Sequence, residues 1–173
     1  YLGNLGSIQA RPFSYRSLLS LDNSALQLAI LTKDRKLAEE ATRLFQQTAD
    51  MVPYSYLAWN RLADVYIVLG QPQQALEALE KSLAILGNHP ESSTALLLQA
   101  KAYQKLGQTQ QVLHSLDRAI SVHPQEPEAY YLRGNVHRLL GQPQQAIEDL
   151  SQAIILTSER KDSRAFYGRA LAF

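Results

Sequence analysis

Four histidines, His89, His114, His123 and His137, are the side chains in this chain best suited to hold a metal ion or move a proton near neutral pH. No two of them are spaced i, i+4, and no HExxH stretch occurs, so no helix presents a pair of imidazoles on one face. His89 and His123 each precede a proline and read as turn residues. His114 falls on the second helix of its repeat, and His137 at a position expected to be packed, with one ring nitrogen satisfied. The carboxylates Glu77, Glu80, Glu148 and Asp149 could serve as general acids or bases. Their spacing instead places them on a solvated helix face. The serines have no histidine and acid at a recognisable spacing, and the glycines are isolated turn residues that build no phosphate loop. The chain therefore reads as non-catalytic, with no metal and no cofactor.

Composition narrows the classes further. The 173 residues contain no cysteine, which excludes disulfides and thiolate-held metals. Apolar residues make up 46% and charged residues 19%, ample material for burial. A net charge of +1 argues against a general nucleic-acid or membrane-surface binder. No apolar run approaches the roughly 20 residues that span a bilayer. The chain starts at Tyr1 and not at methionine, which leads us to expect a processed product or a piece of a longer protein. The compartment stays open, with the cytoplasm favoured over the periplasm.

The elements that position these side chains are repetitive. LGQPQQALEALEKSLAI at 69–85 returns as LGQTQQVLHSLDRAISV at 106–122 and as LGQPQQAIEDLSQAIIL at 140–156. Gly70, Gly107 and Gly141 lie 37 and then 34 residues apart. Repetition at this period indicates stacked supersecondary units and not one closed core. With these glycines at unit position 15, units begin at Tyr56, Ser93 and Pro127. Ala63, Ala100 and Gly134 then share position 8, where a small residue lets helix axes approach. Tyr66, Tyr103 and His137 share position 11, and Leu79, Leu116 and Leu150 share position 24, where bulk fills the gap. Glycine stops the first helix of each unit, and proline in Gly-Gln-Pro opens the second. Paired helices are predicted near 56–69 and 73–86, 93–106 and 110–122, and 127–140 and 144–157.

Through Trp59, Leu62, Ala63, Tyr66, Gly70, Ala75, Leu79 and Ser82, and through their equivalents Ala100, Tyr103, Ala119, Pro124, Tyr130, Gly134, Ala146 and Ala153, the sequence resembles the tetratricopeptide repeat family. The resemblance implies an all-α fold, a right-handed α-α superhelix of stacked antiparallel helix pairs. An earlier unit is read from Ala29, Ala41, Phe45 and Pro53, with helices near 23–33 and 37–51 and Lys36 in place of the turn glycine. The segment 160–173 reads as the first helix of a fifth unit, with Gly168 and Leu171 in register. The expected organisation is a partly helical N-terminal extension at 1–21, where Ser14 could cap a short helix, followed by an array at 22–173 of four repeats and the first helix of a fifth. Three extra residues around Gly87-Asn88-His89-Pro90 lengthen one inter-unit loop. The apolar residues near Phe173 lead us to expect that the chain continues, or that a second copy covers this end by self-association.

The resemblance also implies that first helices line a concave groove. Carried onto this chain, groove positions fall on Asn60, Asp64, Leu97, Lys101, Gln104, Tyr131, Asn135, Arg138 and Arg169. Amides there could clamp an extended backbone, and the cations suit an acidic peptide. Some family members clamp a chaperone's C-terminal carboxylate with ordered lysine, asparagine and arginine residues. Asp64 and Leu97 stand where that clamp needs an amide or a cation. The expected function is a non-catalytic scaffold that binds a peptide or protein segment, in complex assembly. The alternative is the soluble repeat region of a larger enzyme or membrane transferase.

Overall fold

The computed structural model describes residues 35–157. Within them lie seven α-helices and no strand: α1 Arg35–Met51, α2 Tyr56–Val68, α3 Pro72–Leu86, α4 Ser92–Lys105, α5 Thr109–Val122, α6 Pro127–Leu139 and α7 Pro143–Leu156. The six helices predicted from the repeats sit within a residue or so of their expected bounds. The expected helix near 23–33, the 1–21 extension and the fifth-unit helix lie outside the described residues.

The turn inside each unit follows from its glycine. Gly70, Gly107 and Gly141 have φ of 72°, 70° and 69°, the left-handed region that side chains with a Cβ avoid. That geometry lets the next amide reach back and close the helix. Gln71 donates to the Tyr66 carbonyl at 2.8 Å, Gln108 to Tyr103 at 3.0 Å, and Gln142 to His137 at 2.9 Å. Pro72 and Pro143 then occupy the first turn of α3 and α7, where a missing N–H costs nothing. Ser55 caps α2, its Oγ accepting from the Ala58 amide at 3.3 Å.

Short turns force α2 and α3, α4 and α5, and α6 and α7 into antiparallel pairs. Leu79, Leu116 and Leu150, equivalent in the three units, are all fully buried. Ala63 and Ala100 are buried as well, and so is Gly134 at the equivalent place in the next unit. Tyr66 and Tyr103 are half-buried, packing against the core from its edge. The core falls into two clusters that meet at α4. Ala95, Leu98 and Ala102 face back towards α1–α3, whereas Leu96, Leu97 and Ala100 face forward to α5 and α6. Trp59 closes the first cluster; its Nε1 donates to the Pro53 carbonyl at 2.9 Å, and the Lys81 ammonium lies 4.2 Å from the ring centroid.

Candidate functional site

The first helices α2, α4 and α6 carry the expected groove positions, and the packing divides those positions into a floor and a rim. Asn60 on α2 and Leu97 on α4 are buried, at 4% and 5% exposure. They offer a partner little surface. Asp64, Lys101, Tyr131, Asn135 and Arg138 are half-buried and Gln104 is exposed. Arg169 lies outside the described residues.

Lys101, Gln104, Tyr131 and Asn135 come together around one cleft of about 240 Å3 between α4 and α6. Val112 and Leu116 of α5, with Leu132 and Val136 of α6, give it apolar walls. Asn135 sits one turn after Tyr131, and its Nδ2 donates to the Tyr131 carbonyl at 3.0 Å. That bond fixes the amide and leaves its oxygen available.

The electrostatics of this face run across three units. Lys101 Nζ donates to Glu128 Oε1 at 2.8 Å, joining α4 to the start of α6. Both side chains remain substantially exposed. Asp64, one unit earlier, has its carboxyl pushed above the ordinary aspartate range, chiefly by burial; the Lys101 and Arg61 charges oppose this and the Glu128 charge adds to it. Arg138 makes no ion pair among the described residues, and its Nε is buried without a hydrogen-bond partner. Glu128 is the member of this set that sequence reasoning missed. Its pairing spans 27 residues, and only stacking of the units reveals it.

The opposite side of α6 holds a second polar cluster. Arg133 donates from Nε and Nη2 to the two carboxylate oxygens of Asp149, at 2.8 and 2.6 Å, and from Nη1 to Asp117 at 2.7 Å. The hydrogen bonds Arg133 donates to Asp149 raise its pKa further above its already high ordinary value, burial opposing them. Asp149 was expected on a solvated face and is in fact buried, at 6% exposure. Arg133 explains the difference, because a carboxylate bonded on both oxygens can leave water. Glu77, Glu80 and Glu148 are exposed as expected. His137 is packed as anticipated, Nδ1 lying 2.7 Å from Gln142 Oε1 and Nε2 3.8 Å from Asp149 Oδ2. Among the described residues no group of three or more histidine, aspartate or glutamate side chains could hold a metal ion.

Two tetratricopeptide repeat family models match the chain, over residues 54–125 and 97–165. The chain belongs to the tetratricopeptide repeat family. Among solved structures it is similar to MamA, at 22% identity over 90% of this chain and 80% of that one, with a TM-score of 0.66. It is also similar to a thermophilic tetratricopeptide repeat protein from Thermus thermophilus, at 23% identity over 87% and 89% of the two chains, TM-score 0.63. A tetratricopeptide repeat protein from Parabacteroides merdae is 22% identical over 91% of this chain and 58% of that one, TM-score 0.69. These likenesses establish the right-handed α-α solenoid fold. No curated protein matches the sequence. Family membership supports a protein-interaction scaffold, since tetratricopeptide repeats bind proteins or peptides and are typically non-catalytic. No helix among the described residues is long and apolar enough to cross a membrane.

Proposed function

We propose that this tetratricopeptide repeat chain holds a peptide or protein segment along the row of first helices α2, α4 and α6, in the assembly of a larger complex. The observation that carries this reading is the α4–α6 cleft. It gathers Lys101, Gln104, Tyr131 and Asn135 from two units around apolar walls. Few convergent polar groups over an apolar floor are the ordinary make-up of a binding site. Lys101 and Arg138 favour an acidic segment.

Charge reversal tests it. Lys101→Glu with Arg138→Glu should weaken capture of partners from the native source, more at low salt than at high salt, because exposed charges are screened. Glu77→Lys with Glu80→Lys, on exposed positions of α3, is the control. Capture that survives the first pair and fails with the second would move the interface to the other face.

A further inference from the structure

Resting on the reading of the α4–α6 side as the binding surface, we infer that its cleft receives one large apolar side chain of the bound segment, and that a neighbouring carboxylate of that segment takes Lys101 over from Glu128. The cleft holds about 240 Å3. An apolar cavity of about 150 Å3 takes benzene, whereas pockets for drug-sized ligands begin near 300 Å3. The space fits a single leucine, methionine or phenylalanine side chain and is small for a free metabolite. Leu116, Leu132 and Val136 line it, while the polar groups Lys101, Gln104 and Asn135 belong to the same cleft and can orient a backbone.

The carboxylate follows from the cations. Glu128 already places a carboxylate oxygen 2.8 Å from Lys101 Nζ, so the chain itself shows which group this lysine takes. The pair is 40% and 49% exposed, and exposed ion pairs are weak enough to be exchanged. Arg138 lies three residues from Asn135, hence on the same side of α6. It has no ion-pair partner among the described residues, and its Nε is buried and unbonded. Glu128 is therefore an internal competitor that sets the threshold for acidic partners.

The test is a selection of phage-displayed random peptides of about 12 residues on the wild-type chain. The consensus peptide is then titrated by fluorescence anisotropy. The expected consensus has Leu, Ile, Met or Phe beside Asp or Glu. Gln104→Trp, which plugs the cleft mouth from an exposed position, should weaken it about tenfold. Glu128→Gln should tighten it about two- to fivefold, and should leave unchanged a peptide whose acid is replaced by its amide. Circular dichroism melts verify that both variants fold. A consensus with no apolar anchor, or one indifferent to Gln104→Trp, overturns the inference; if that peptide still responds to Lys101→Glu/Arg138→Glu, the inner-face reading stands. Recovery of no peptide, or only of peptides insensitive to that pair as well, defeats both. Weaker binding by Glu128→Gln defeats the exchange at Lys101.

Discussion

Gly134 of α6 lies so close to Leu150 of α7 that a Cβ built on the glycine would sit 2.8 Å from the leucine Cγ. The missing methyl lets the two helices of this unit approach, and Asp149 Cβ closes the same space at 3.1 Å. Gly134→Ala would ordinarily strengthen a helix by up to about 1 kcal/mol. Here the overpacking should win, with a net loss of about 1 kcal/mol. Urea denaturation checks it; a variant as stable as the parent would show that Leu150 can turn aside freely.

Gly107 presents the opposite case. A Cβ there meets nothing within 4 Å, yet φ is +70°. The cost of Gly107→Ala is purely conformational, about 1–2 kcal/mol. Gly107→Asn should cost less, because asparagine tolerates this region. Equal losses for the two substitutions would contradict a turn governed by the backbone.

Arg133 and Asp149 should behave as a buried pair. Arg133→Met strands a carboxylate of 8% side-chain exposure, and a loss of about 3–5 kcal/mol is expected. Asp117, at 60% side-chain exposure, is a lesser partner, and Asp117→Asn should cost under about 1 kcal/mol. Thermal melts of the two single variants separate these roles.

Asp64 predicts a pH signature. Its folded-state pKa is raised above the ordinary aspartate value, chiefly by burial, so the folded chain binds the proton more tightly than the unfolded chain does. Stability from this group therefore falls as pH rises through that raised value. Asp64→Asn should be more stable than the parent at neutral pH, with the difference fading below the ordinary aspartate range. Chemical denaturation at several pH values measures it, and a difference that grows on acidification would reverse the sign.

The pairing of helices was legible because the Leu-Gly-Gln punctuation and the position-8 small residues are local signals, repeated along the chain. Local pattern also placed Leu79, Leu116 and Leu150 at the core. The site was less legible. Family spacing put Asn60 and Leu97 on a groove, but both positions lie deep enough to be covered by neighbouring helices. Asp149 looked like a surface acid because its partner Arg133 is 16 residues away on another helix. Lys101 looked like a free cation because Glu128 belongs to the following unit. Pairing across stacked units depends on how closely the units sit, and a linear pattern carries no measure of that distance.

Helix α4 is covered on both sides, by one hydrophobic cluster behind it and another ahead. Under tension applied at the two ends, such an array should not yield in one event. The cluster around α1–α3 and the one ahead of α4 can open separately, so a force–extension trace is expected to climb in steps. Amide hydrogens of α4 should be among the slowest to exchange, because releasing this helix requires both clusters to open.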